Sequence, residues 1–471
     1  MKLARYPHHD SMYGPGACRR HLSRRAVLLL LLTCVLVLNR YPISAHNASS
    51  NSGKRFSTRD EILLADLERR AFQYFWENAG ASTGLVLDRT RTDGRPADED
   101  HRTVASIAAT GFGLTAICIA AERGWIKREV ASERVRTTLR FFADRALHEH
   151  GWFYHWMDVN TGERKWKSEV SSIDTALLVA GALTARQYFH DDADIVRLAM
   201  TIYERIDFPW MLNGHPTLLS MGWHPENGFL KARWDNYSEH PILYLLAIGS
   251  PTHPITPEAW YAWKRNWNTY RGYKYLGTTP LFTYQYSQAW IDFRGRREGK
   301  SEHIDYFENS IKATRAHRLF CIDLAKVFPA YGPNLWGISA SDSVKGYVAW
   351  GGPPRDPAID GTVVPYAAAG SLMFVPGLAV AALNTMRAKY RSAYGKYGFA
   401  DAFNPNTGWI DRDVIGIDLG ITLLGAENAR SEFVWRWFMK NVEIRRALNL
   451  VDLKKTRRRA QRSRAPLRKA A

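Results

Sequence analysis

The residues of this chain best suited to chemistry are acids set in short stretches rich in Gly, Trp and Tyr. Glu239 stands in Trp234-Asp235-Asn236-Tyr237-Ser238-Glu239-His240, one turn into an expected helix and after a Gly/Trp-rich loop. Asp174 follows Glu169-Val170-Ser171-Ser172-Ile173, Asp342 follows Trp336-Gly337-Ile338-Ser339-Ala340-Ser341, and Asp360 opens Asp360-Gly361-Thr362. Asp413 and Asp418 share the run Trp409-Ile410-Asp411-Arg412-Asp413-Val414-Ile415-Gly416-Ile417-Asp418. An acid beside apolar neighbours is a candidate for a raised pKa. Two carboxyls flanking one bond can divide the work, one giving a proton and the other activating water or attacking directly. Each acid also has a plain structural reading: Glu239 and Asp174 suit the positive end of a helix, and Asp235 suits its cap.

The loops around these acids carry Trp152, Tyr154, His155, Trp156, Trp166, Trp223, Trp234, Tyr237, Trp336 and Trp350. Sugars present apolar C–H faces ringed by hydroxyls, so aromatic platforms interleaved with Asp, Asn, Glu, Arg and His match a glycan chemically. Any one of these rings could instead brace a loop; as a set they point to a sugar cleft. The chain has no CxxC or HExxH pattern, which argues against zinc chemistry. No metal and no organic cofactor are expected.

The elements that must position these groups read as helices. Ile62, Leu63, Leu67, Phe72, Phe75 and Trp76 follow helical spacing behind a Thr58/Glu61 capping signature. Further helices are expected near 104–123, 128–147, 173–190, 193–206, 237–248, 257–270, 281–293, 306–327, 375–389 and 416–440, with strand-like text only in short pieces such as 151–157 and 218–231. Helices of this length with broad apolar faces need neighbours on two sides, and the long loops between them suit a barrel of antiparallel helix pairs. The expected class is all-α, one barrel domain over 58–445 with the long loops forming a cleft at one end.

The formal charge of +18 is concentrated in the tails: residues 1–45 carry +6 and residues 454–471 carry +9, leaving +3 for the body. That distribution argues against nucleic-acid binding, which needs a sustained basic face. Arg24-Arg25 followed by the apolar run 26–38 and Ile43-Ser44-Ala45 reads as an export signal over 1–45, or as a retained anchor, so a periplasmic, secreted or inner-membrane-anchored location is expected. Residues 46–57 read as a polar linker and 446–471 as a disordered basic tail that could touch anionic membrane or envelope polymer. A monomer is expected. Beyond the signal only Cys118 and Cys321 remain; both sit in apolar helical text and are expected to be buried free thiols.

Several ordered stretches resemble one family. They are Gly84-Leu85-Val86-Leu87-Asp88-Arg89, Ala105–Leu114, Glu169–Thr175, Tyr237-Ser238-Glu239, Gln285–Asp292, Tyr331–Gly337, Asp360-Gly361-Thr362, and Gly416-Ile417-Asp418 with Glu427-Asn428. Over about residues 58–442 the chain resembles the glycoamylase-like domain proteins, which include bacterial endo-β-1,2-glucanases and domains of cyclic β-1,2-glucan synthases. The resemblance implies an (α/α)6 barrel acting on β-glucan without metal or cofactor, by an inverting acid/base mechanism. It makes Glu239 the general acid and Asp418 the base, with Asp413 and Asp174 as alternatives for the second role. It makes Asp88, Arg89, Tyr286, Trp336 and Asp342 subsite residues. Trp166, Trp223, Trp234, Tyr237, Asp360 and Glu427 complete the expected substrate-binding set. Two positions depart from the family pattern: Gln288 stands where members carry His, and Leu419-Gly420-Ile421 stands where they carry Gln-Gly-Pro. Glutamine cannot become cationic and leucine has no amide, so both departures bear on substrate choice and proton route. A transglycosylase that cyclises or remodels glucan, and a glycan-binding protein without turnover, are the rival readings.

Overall fold

The structure is a computed structural model that describes residues 56–277 and 279–455. The expected export segment (1–45), most of the linker and the far end of the basic tail lie outside the described residues. Six of the helices are apolar on nearly every side and buried along their length: α2 (Ile107–Glu122), α4 (Ser172–Tyr188), α6 (Pro241–Gly249), α7 (Tyr286–Trp290), α9 (Pro365–Ala369) and α11 (Gly416–Ser431). Six others bury a stripe: α1 (Thr58–Glu77), α3 (Arg128–Asp144), α5 (Ala193–Glu204), α8 (Tyr306–Leu324), α10 (Pro376–Lys389) and α12 (Val442–Leu450). A helix hydrophobic all round must be enclosed, whereas a striped one can face water.

The buried helices touch one another in series. α2 packs on α4, α4 on α6, α7 and α9 on α11, and α11 on α2. Between α6 and α7, Ile242 N–H donates to the Ser287 hydroxyl at 2.9 Å; Gln285, at the start of α7, donates to the Ala367 carbonyl of α9 at 2.9 Å. Outside them, α1 lies on α2 and α11, α3 on α2 and α5, and α12 on α6. The α2–α4 crossing is the tightest of these contacts. A Cβ added to Gly111 would meet the Leu177 carbonyl oxygen at 2.2 Å, and one added to Gly181 would meet the Gly111 oxygen at 2.1 Å.

Short strands sit where the chain enters the buried helices. Val104–Ser106 pairs with Val86–Leu87 and Trp156–Asp158, Val170–Ser171 pairs with Gly222–His224, and Arg89–Arg91 pairs antiparallel with Asp413–Ile415. Ser106 and Ser171 then cap α2 and α4 by accepting from Ala109 N–H and Asp174 N–H.

Several boundaries differ from the sequence reading. α1 is capped by Ser57, not Thr58: the Ser57 hydroxyl accepts from Asp60 N–H. The helix expected from 237 begins at Pro241, whose fixed φ suits the first helical position. The stretch 257–270 ends as a strand, Trp267–Tyr270. The ordered domain also runs past 445. α12 spans that boundary, and Leu453–Lys455 pairs with Arg296–Glu298, because Ile444, Ala447 and Leu448 have apolar neighbours to bury against. Cys118 and Cys321 are buried free thiols. No helix among the described residues is long and apolar enough to cross a membrane.

Gly111→Ala is expected to destabilise the protein by at least about 2 kcal/mol, since the methyl has no rotamer escape from a facing carbonyl. A thermal melt superposable on that of the native protein would contradict the α2–α4 approach.

Candidate active site

The acids singled out above gather where the buried helices begin. Asp174 and Asp418 occupy the first turns of α4 and α11, Glu239 sits two residues before α6, and Tyr286 opens α7. The Tyr286 phenol lies in the field of Asp418, Glu239 and Asp174 together, and its hydroxyl is 3.5 Å from Asp418 Oδ1. Tyr286 packs edge-on against Phe112 of α2, so the ring is fixed from behind.

Glu239 is half-buried and its carboxylate has one side-chain donor, the Ser238 hydroxyl. Burial raises its pKa and the nearby Asp174 charge raises it further; the Ser238 bond and a backbone bond oppose this without reversing it. Glu239 is therefore biased toward the protonated form, the state a proton donor needs. The backbone carbonyl of Glu239 accepts from the Ser287 hydroxyl, which ties the loop to α7.

The candidates for the second role differ in how their charge is balanced. Asp174 accepts from Ser171 and faces His155 Nε2 at 3.6 Å; His155 Nδ1 is 2.9 Å from Glu169. Burial alone would discharge His155, yet Asp174 and Glu169 hold its pKa above the ordinary value, which biases the imidazole beside Asp174 toward its charged form. Asp413 is paired with Arg91 at 2.7 Å, through the register that sets Arg91 opposite Asp413. Asp418 has no such partner among the described residues. It is 5% exposed, and burial together with the charges of Asp88 and Asp342 pushes it up to about 7, with Arg89 and a hydrogen bond from Asp401 pulling the other way. A carboxyl that titrates near neutrality suits a base that must pick up and release a proton.

Asp401 and Asp411 belong to this site, and the sequence reading passed over both. Asp401 is buried, and its pKa is raised by burial and by Asp418, which leaves Asp401 as the proton-bearing partner of that pair. It also accepts from Asp342 N–H at 2.7 Å. Asp411 is pushed up to about 8 by burial and by Asp401 and Asp342. The criterion of an acid beside apolar neighbours fits Asp401, in Phe399-Ala400-Asp401-Ala402-Phe403, as well as it fits Asp418. Arg89 binds across the group, 3.1 Å from Asp88 and 2.7 Å from Asp342. A cavity of about 20 Å³, room for about one water, lies against Asp401, Asp418 and Leu419.

Two groups have ligand atoms within 4.8 Å of one another, as a metal would require: His155, Glu169 and Asp174, and Asp342, Asp401 and Asp411. In the first the histidine is already held by its carboxylates, and in the second Arg89 and protons supply the positive charge, so neither is assigned as a metal centre.

The expected aromatic wall is only partly accessible. Trp166 is 48% exposed and packs on Trp156, and Trp223 is half-buried beside Trp210; these line the face near His155 and Glu169. Trp234, Tyr237 and Trp336 are buried and are corrected from sugar contacts to braces. Trp234 donates to the Ser172 hydroxyl at 2.8 Å, Tyr237 stacks on Tyr306, and Trp336 stands by His317. Asp360 folds back on its own turn, accepting from Thr362 N–H and hydroxyl at 2.9 and 2.7 Å. Glu427 lies nine residues beyond Asp418 on α11, about 13 Å along the axis. There it is buried in a bidentate pair with Arg123 at 2.9 and 3.0 Å, which excludes it as a substrate contact. Gln288 is also turned inward, donating to the Tyr306 carbonyl and Ser310 hydroxyl at 3.0 and 2.6 Å, so its departure from histidine acts behind the site.

A half-buried acid whose pKa is raised and a second carboxyl of near-neutral pKa, both acting on the Tyr286 phenol, form an acid–base pair of the kind that sugar-bond cleavage requires. The Glycoamylase family model, described as "Putative glucoamylase", matches residues 231–442. The solved endo-β-1,2-glucanase of Chitinophaga pinensis, a sophorotriose and glucose complex, is 30% identical with a TM-score of 0.78, covering 84% of this chain and 98% of that one. The β-1,2-glucanase structure of Parabacteroides distasonis is 26% identical with a TM-score of 0.76, covering 84% and 60%. The exo β-1,2-glucooligosaccharide sophorohydrolase (non-reducing end) of Parabacteroides distasonis is 27% identical over 453 residues, 88% of this chain; the chain spans 61% of that relative's length. This chain belongs to the glycoamylase-like family.

Asp401→Ala tests the Asp401–Asp418 link. An ionised base makes kcat/KM rise with pH through the Asp418 pKa, and the Asp401 bond holds that pKa down. Its loss is therefore expected to move the acid limb of the profile to higher pH, while Asp401→Asn, which keeps a donor, restores it. An unmoved limb in Asp401→Ala would disprove the link.

Proposed function

We propose that the chain is an exported glycoside hydrolase that cleaves β-1,2-glucan internally by inversion, on a closed (α/α)6 toroid. Glu239 protonates the departing glycosidic oxygen, directly or through a substrate hydroxyl, and Asp418 takes the proton from the attacking water. The reading of substrate and linkage is supported by the relatives, which are named for β-1,2-glucan or its oligosaccharides and include both endo and exo enzymes. The toroid is supported by the serial contacts of α2, α4, α6, α7, α9 and α11 and by the outer position of the striped helices. Export rests on the charge and hydropathy of residues 1–45 alone.

The observation that carries the mechanism is the contrast between the two carboxyls. Burial and Asp174 raise the Glu239 pKa and bias it toward the protonated form, and it has no cation in hydrogen-bond reach among the described residues. Asp418 titrates near 7, and the Tyr286 hydroxyl, 3.5 Å from Asp418, lies in the field of both carboxyls. The remaining acids do not fit the second role, since Asp174 faces His155 and Asp413 is held by Arg91. Asp88, Arg89 and Asp342 form one ion-paired group beside Asp418, able to hold sugar hydroxyls.

Release of reducing ends from β-1,2-glucan is expected to fall about 10³-fold in Glu239→Gln, which keeps shape and removes the proton. Early products read by NMR are expected to carry the α configuration at the new reducing end. Retained β configuration would replace inversion with a double displacement and favour the transglycosylase reading. Undiminished turnover in Glu239→Gln would remove Glu239 from the acid role.

A further inference from the structure

Outside the acid cluster lies an open cleft of about 780 Å³, well within the size range of ligand sites. Its polar lining is dominated by four arginines, Arg91, Arg95, Arg102 and Arg412, against two acids, Asp93 and Asp411. Ala97 and Ile410 give it an apolar floor. The acids do not balance the arginines. Asp93 is taken by Arg95 at 2.8 Å, and Arg91 is taken by Asp413. Asp411 is pushed up to about 8, so at neutral pH it is largely uncharged. Arg102 and Arg412 are exposed and have no acidic partner among the described residues. This concentration is not a general property of the surface, since the body of the chain carries only +3.

The cleft borders the active site. Asp411 lines the cleft, and its carboxylate lies within 4.8 Å of those of Asp342 and Asp401. Arg91 lines it as well, and holds Asp413 from that side. Asp411 and Arg91 thus form a wall shared by the acid cluster and the cleft that Arg102 and Arg412 line. Guanidinium groups in a partly enclosed cleft bind carboxylates and phosphates by charge-assisted, often bidentate hydrogen bonds. Neutral glucose units offer no anion to pair with Arg102 and Arg412.

We infer that the Arg91/Arg95/Arg102/Arg412 cleft is a subsite for an anionic ester group, a carboxylate half-ester or a phosphate ester, borne on the glucan chain. The inference rests on the glucan-hydrolase reading above and narrows its substrate to glucan bearing negative substituents. The charge of the cleft then selects among glucans and speeds their capture, while the acid–base pair acts on any glucan that reaches it.

Binding to the slow Glu239→Gln variant separates this inference from the catalytic one. The probes are β-1,2-glucan, the same glucan partly succinylated with succinic anhydride, and inorganic phosphate, each measured by calorimetry at low salt. The succinylated glucan is expected to bind about tenfold tighter than the neutral one. The preference is expected to shrink in 0.5 M NaCl, where screening is strong, and to vanish in Arg102→Glu/Arg412→Glu added to the same background, with affinity for neutral glucan unchanged within twofold. Equal binding of the two glucans, or a preference that survives both substitutions, would overturn the subsite. Inorganic phosphate binding as tightly as the succinylated chain would also overturn it, by making a free ion the ligand. A binding preference that holds while the native enzyme cuts neither glucan upholds the cleft and sinks only the hydrolase reading.

Discussion

Too many carboxyl groups share too few cations at one end of the buried helices, and most of the site's behaviour follows from that imbalance. Asp88, Asp342, Asp401, Asp411, Asp413 and Asp418 surround Arg89 and Arg91. Like charges at such spacing in a poorly solvated site cannot all ionise, so protons fill the deficit. The structure places them on Asp401 and Asp411 and leaves Asp418 titrating near 7. Across the site the same physics acts on Glu239 with no cation nearby, and Asp174 adds a like charge. A donor and an acceptor of protons thus arise from one residue type, separated by environment.

The backbone delivers this arrangement by repetition. A short strand or loop enters a fully apolar helix, and the first turn of that helix, or the residues just before it, carries the functional group: Asp174 on α4, Glu239 before α6, Tyr286 on α7, Asp418 on α11. Helix N-termini favour anions, so these positions tolerate charge that the apolar helix bodies would not. The long-range antiparallel pairing of Arg89–Arg91 with Asp413–Ile415 then fixes which guanidinium meets which carboxylate, and Gly416 N–H closes on the Asp88 carbonyl at 2.7 Å. The glycine contact of α2 with α4 sets how closely two of these first turns approach.

Much of this was legible in the sequence because it is local. Helical periodicity placed most of the long helices, the aromatic setting of Glu239 after a Gly/Trp-rich loop marked it as a candidate, and the apolar neighbours of Asp418 marked it as an acid whose pKa could shift. What failed was depth and partnership. Trp234, Tyr237 and Trp336 look like platforms because rings in Gly-rich loops do, but a ring is a platform only if one face is open, and theirs are covered. Glu427 shares a helix with Asp418, yet its rise along the axis carries it to Arg123 at the far end. Asp401 went unnoticed because no helix start marks it; its importance comes from a neighbour 17 residues away in sequence. The second half of α12, 446–450, falls in the expected tail because basic residues follow it, while its apolar stripe packs on α6.

The central claim is that Glu239 carries a proton when the enzyme works. Carboxyl carbon NMR of protein labelled at glutamate side chains reads this directly, with the Glu239→Gln spectrum to assign the signal. The Glu239 resonance should titrate above the ordinary glutamate value, toward higher pH than an exposed glutamate. A resonance that titrates at or below the ordinary glutamate value of 4.5 would contradict the account.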